Sequence, residues 1–152
     1  MKELIYVFLI SMLPVVELRG AVPIGAGLGL SPAENIIAAV AGNMLPVPFV
    51  VIFVRRVIAW LSSKNVRLKR VIDRYLSKRI DRHAKIKYTS ELVALAVFVA
   101  IPLPGTGAWT GAVIAGMLGL RLKTAVPAIA IGVVAAGIIV SILTYGVKAV
   151  IT

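Results

Sequence analysis

Cysteine is absent from this chain and acid is scarce, with six Asp and Glu set against seventeen Lys and Arg and a single histidine. Without cysteine there are no disulfides and no thiolate metal sites, and the redox compartment is left open. The few carboxylates are scattered. No nucleophile stands beside a base, no two acids are spaced as a pair, and no metal-spaced cluster occurs, so an enzyme is not expected and no catalytic residue, metal or cofactor is assigned.

What fills the chain instead is apolar: 60% of its 152 residues are hydrophobic and the mean hydropathy is +1.00. Ordinary soluble domains hold about 45–50% apolar residues, so the composition is that of an integral membrane protein forming one compact domain over residues 1–152. The formal charge of +11 would suggest nucleic-acid binding if it were spread evenly. It is not: twelve of the seventeen basic residues lie between Arg55 and Lys87. A basic block beside apolar runs marks a cytoplasmic segment held by anionic lipid headgroups, and nucleic acid is not expected as a partner. The N-terminal run from Leu4 to Leu13 resembles a signal peptide. No small-residue cleavage site follows it, because Pro14, Glu17 and Arg19 come next, and it is read as retained.

Four apolar stretches cover about 4–30, 33–54, 91–119 and 124–147. The second and fourth are long enough to span a hydrocarbon core of about 30 Å at about 1.5 Å per residue. Ser31 and Pro32 mark the start of one, and Pro127 is placed in the first turn of the other. The first and third are interrupted, by Pro14, Gly20 and Pro23 and by Pro102, Pro104, Gly105 and Gly107. Arms of this length suit re-entrant hairpins, whose irregular tips must be enclosed by protein or line a wet cavity. Four full spans is the rival topology, and charge counting does not decide between them.

The halves superpose without a gap at an offset of ninety residues: Val7-Phe8 on Val97-Phe98, Leu13-Pro14 on Leu103-Pro104, Leu28-Gly-Leu30 on Leu118-Gly-Leu120, and Gly42 on Gly132. The expected fold is therefore all-α, an inverted repeat. Residues 1–56 form one unit and 91–152 the other, each a hairpin plus one span, joined by a basic segment at 57–90. Within that segment Leu68, Val71, Ile72, Tyr75, Leu76 and Ile80 recur at helical spacing among cations. An amphipathic helix on the inner membrane surface follows, with Arg67, Arg70 and Arg74 facing lipid headgroups.

Glu17 and Arg19 are the formal charges deepest in the apolar regions, and intramembrane ionisable groups mark functional sites. Arg19 suits an anionic group such as phosphate, and Glu17 a proton or counter-charge. The alternative reading is that both charges cap broken helix ends and hold a hairpin in place. The opposing tip, Pro102 to Gly111, offers Thr106, Trp109 and Thr110 with free backbone groups. Asn43, near Pro46 and Pro48, puts a polar group and a kink into the first span, either lining a path or bridging helices. Glu17, Arg19, Asn43, Thr106, Trp109 and Thr110 are the candidate substrate-binding residues.

The runs Glu17-Leu-Arg-Gly-Ala-Val-Pro-Ile-Gly25, Gly42-Asn-Met-Leu-Pro46 and Pro102-Leu-Pro-Gly-Thr-Gly-Ala-Trp-Thr-Gly111 resemble those of the small multidrug export protein family over nearly the whole chain. That family is distantly similar to the DedA and VTT membrane proteins, which share inverted re-entrant hairpins and include polyprenyl-phosphate translocases and lipid scramblases. The resemblance implies transport, with an amphipathic phosphate-bearing lipid as cargo. This tip departs from the arginine-containing DedA signature by carrying Trp109 and Thr110.

Three functions follow as expectations: a transporter or lipid scramblase, a proton-coupled multidrug exporter, or a structural membrane protein with a lipid- or partner-binding basic helix. A homo-oligomer, in the first instance a dimer, and a prokaryotic cell (inner) membrane location are expected.

Overall fold

The structure is a computed structural model that describes residues 1–64, 70, 83–103 and 105–151. The expected surface helix, with Arg67 and Arg74, and the breaker Pro104 lie outside the described residues, whereas Arg70 is exposed.

Seven helices are described: α1 (Lys2–Ser11), α2 (Glu17–Gly27), α3 (Pro32–Met44), α4 (Val47–Lys64), α5 (His83–Ala100), α6 (Ala108–Met117) and α7 (Leu122–Ile151). The chain is all-helical among the described residues, and two segments are long and apolar enough to cross a bilayer, α3 with α4 and the helix α7. Both segments run past the limits expected from hydropathy, to Lys64 and to Ile151. Arg55, Arg56 and Lys64 are good helix formers, so leaving the apolar region does not stop the helix.

Local signals account for most ends. Ser31 caps α3 in a full capping box, its hydroxyl accepting from the Glu34 amide while the Glu34 carboxylate takes the Ser31 N–H, with Pro32 in the first turn. After α2 and after α6 the chain turns through Gly29 (φ +82) and Gly119 (φ +63). The turns are closed alike, by Leu30 N–H to the Gly25 carbonyl (3.1 Å) and Leu120 N–H to the Ala115 carbonyl (3.0 Å). This is a six-to-one closure whose left-handed residue favours glycine. The ninety-residue correspondence thus extends from the letters to the bonds.

The breakers behave unequally. Pro14 lies in the connection 12–16, and Pro102, Gly105 and Gly107 lie between α5 and α6. Gly20 and Pro23, expected to interrupt, instead sit inside α2. A proline there removes one hydrogen bond, at the Arg19 carbonyl, without ending the helix, and the missing side chain of Gly20 makes room for Val16. Pro127 likewise falls within α7, past its first turn. The kink expected near Asn43 is present as the break between α3 and α4 at Leu45 and Pro46.

Packing is close because facing residues are small. α1 lies on α3 and α5 on α7, while α6 lies on α4 and α2 on α7. A Cβ at Gly42 would strike the backbone carbonyl of Phe8 in α1, and one at Gly132 would stand 2.5 Å from the Ala96 carbonyl in α5. Both glycines let a long helix touch the backbone of a short one. Ala21, Ala108, Ala112, Ala115, Ala125 and Ala136 are buried in the same core with Val7, Val99, Ile129 and Val133.

Candidate functional site

The two interrupted stretches meet at their connections, and the meeting is made by side chains that cross from one half to the other. Arg19, in the first turns of α2, donates from Nη2 to the Ile101 carbonyl (2.9 Å) and to the Thr106 hydroxyl (2.8 Å). Its Nη1 donates to the Leu103 carbonyl. A guanidinium suits this role because its fixed fork reaches several acceptors at once. These carbonyls follow the C-terminal end of α5, where the helix carries partial negative charge.

Glu17 serves the opposite pole. Its buried carboxylate accepts from the Trp109 backbone N–H at 3.3 Å, in the first turn of α6. Gly107, the N-cap of α6, has no side chain to do this, and a Cβ there would collide with the Glu17 carboxylate. A residue from the other half thus supplies the cap that α6 lacks. Glu17 holds a left-handed backbone (φ +50), unusual for a side chain of this kind. Trp109 completes the exchange by donating Nε1–H to the Met12 carbonyl at the end of α1 (3.1 Å).

Arg19 and Trp109 occupy corresponding positions ninety residues apart, as do Glu17 and Gly107. Each half therefore finishes helix ends of the other. Glu17 and Arg19, two residues apart, form no ion pair with one another among the described residues. Their bonds run to the ends of α6 and α5 instead, as the capping reading of the sequence has it.

Capping does not use up the site. A cavity of about 610 Å³ opens between the connections, lined by Pro14, Val15, Val16, Glu17, Arg19, Gly20, Pro102, Gly105, Thr106 and Thr110. The Arg19 Nε is buried with no partner among the described residues. Of the six expected binding residues, Glu17, Arg19, Thr106 and Thr110 line this cavity, and Trp109 braces its wall. Asn43 does not line it. The interhelical bond expected of Asn43 is also not formed among the described residues: the side chain is fully buried in α3 and neither amide atom has a partner there.

A residue that the sequence did not single out is Asn35 in α3. It is fully buried, donating to the Val22 carbonyl (2.7 Å) and to the Tyr145 hydroxyl (3.0 Å), and Tyr145 donates to the Leu30 carbonyl (2.7 Å). Lys148 donates to the Ala26 carbonyl (2.8 Å). These bonds tie the end of α2 to the last turns of α7. An amide one turn inside an apolar helix was the available signal, but its partner lies 110 residues away.

Two segments long and apolar enough to cross a bilayer, packed among shorter helices, define the class: a helical membrane protein. The comparison with protein families makes it particular. Residues 17–139 match the family described as "Putative small multi-drug export protein", and the chain belongs to that family. No curated protein and no solved structure matches the chain.

Proposed function

We propose that the chain is a membrane transporter whose cargo is an amphipathic molecule with an anionic, phosphate-bearing head, held in the cavity between the two connections. The observation that carries this reading is the Arg19 side chain. It lines the cavity while its two terminal nitrogens are anchored to the opposite half, which fixes its positive charge at the cavity wall. A guanidinium so held is pre-organised to receive an oxyanion. Pro14, Val15 and Val16 offer an apolar wall beside it, and the volume lies within the roughly 300–1,000 Å³ usual for small-molecule sites.

In this proposal the interrupted stretches are re-entrant hairpins of an inverted repeat, so the cavity sits near mid-membrane and the two halves rock about it. Helices of ten and eleven residues, α1, α6 and α2, reach about 15–17 Å, half the hydrocarbon core. Leu13, Val15 and Leu103 are exposed beside irregular backbone. Such backbone needs protein or water around it within a membrane, which supports a homodimer in a cell membrane.

Glu17 favours a second reading, proton-coupled export of small cationic compounds. Among the described residues its carboxylate accepts one bond, leaving acceptor capacity beside the cavity.

Protein reconstituted in liposomes should flip a labelled phospholipid or polyprenyl phosphate, and Arg19→Ala should abolish this while remaining folded. Drug efflux driven by an imposed pH gradient and lost in Glu17→Gln, with no lipid movement, would replace the first reading by the second. Silence in both assays would leave a structural membrane component.

A further inference from the structure

Among the described residues, the cavity between the connections is lined by two formal charges of opposite sign, Glu17 and Arg19, and by no other charged side chain. Although only two residues apart, they form no ion pair with one another among the described residues. Each is held by its own anchor, Arg19 by the carbonyls of Ile101 and Leu103 and Glu17 by the Trp109 amide. Those anchors balance the charges only in part. A helix end carries roughly half an elementary charge, so about half a positive charge is left over at Arg19 and about half a negative one at Glu17.

A cargo head of one sign leaves one of these walls unanswered. An oxyanion settled on Arg19 shares its low-dielectric space with the Glu17 carboxylate, and an ammonium settled on Glu17 shares it with the guanidinium; like charges so placed repel strongly. A head carrying both signs answers both walls at once. Its cation is further defined by what the lining lacks. No aromatic residue lines the cavity among the described residues, so a quaternary ammonium finds no π face to rest on. A primary ammonium can instead donate to the open acceptor capacity of the Glu17 carboxylate, in a charge-assisted bond. The Thr110 hydroxyl adds to the lining a group able to donate to a phosphate oxygen.

We infer that the head held in this cavity is a zwitterion, a phosphate beside Arg19 joined by a short link to a primary ammonium beside Glu17, which is the chemistry of a phosphoethanolamine head. It rests on the phosphate-bearing cargo proposed above and narrows that cargo to an electroneutral head. One molecule then uses both charges, which an anionic or a cationic cargo does not.

The test is thermal unfolding of the purified full chain in maltoside micelles at high salt, titrated with short-chain phosphatidylethanolamine, phosphatidylcholine or phosphatidylglycerol of equal acyl length. High salt screens the exterior of a chain of net charge +11, which otherwise favours the anionic lipid at any basic surface. The ethanolamine lipid should raise Tm saturably, with a half-saturating concentration at least about tenfold below that of the glycerol lipid and the choline lipid falling between. Glu17→Gln keeps an acceptor for the Trp109 amide and removes the negative charge, and should reverse the order so that the glycerol lipid binds best. A wild-type affinity for phosphatidylglycerol equal to or above that for phosphatidylethanolamine, a choline lipid bound as well as the ethanolamine one, or an order unchanged by Glu17→Gln overturns the inference and leaves a phosphate-bearing cargo standing. A Tm indifferent to all three lipids overturns that cargo reading, and the zwitterion with it.

Discussion

Alanine in place of Gly107 should damage the protein through two separable effects. Gly107 has φ +146, a region that side chains rarely adopt, and such backbone strain costs about 1–3 kcal/mol. The added Cβ would also evict the Glu17 carboxylate from its seat on α6. Losing the charge-assisted bond to the Trp109 amide costs about 1.5–3 kcal/mol more. The sum, about 3–6 kcal/mol, corresponds to a fall in Tm of about 6–20 °C for a chain of this size. Thermal melting of detergent-solubilised protein reads it directly. The decisive arm is a double-mutant cycle with Glu17→Gly, which suits the φ of +50 and removes the carboxylate. In that background Gly107→Ala should cost the strain alone. An equal cost in both backgrounds would refute the claim that Glu17 caps α6.

Gly42→Ala and Gly132→Ala meet the backbone carbonyls of Phe8 and Ala96 and should each destabilise by about 1–3 kcal/mol in the same melting assay, whereas Gly27→Ala and Gly146→Ala face open space and should be neutral or stabilising. Trp109→Phe keeps an aromatic ring but removes the donor to the Met12 carbonyl, and should lower stability by about 1 kcal/mol; an unchanged Tm would show that bond to be dispensable.

Helix positions and the break points at Pro14 and Pro102 were legible because hydropathy and proline act locally. The like turns at Gly29 and Gly119 were legible too, since the letters around them match ninety residues apart. Gly20 and Pro23 misled because whether a helix tolerates a breaker depends on what packs around it, and Val16 fills the space beside Gly20. The third apolar stretch was expected from about residue 91, but α5 starts at His83; polar helix formers such as Lys85 and Lys87 extend a helix without any hydrophobic signal. For the candidate site, charge in an apolar run pointed to Glu17 and Arg19. Their partners were not legible, because three of them are backbone groups of the opposite half, at Ile101, Leu103 and Trp109, which no side-chain pattern announces. The Asn35 to Tyr145 link was hidden for the same reason of distance.

The exchanged caps bear on how the chain is made. Arg19 precedes Leu103 by 84 residues, which at about 5–20 residues per second is a wait of roughly 4–17 s on the ribosome. During that interval the newborn N-terminal half holds a cation and an anion whose partners do not yet exist. It has to linger at the bilayer edge or in the care of the insertion machinery. Completion of the Glu17 and Arg19 bonds thus waits on the synthesis of residues 101–109.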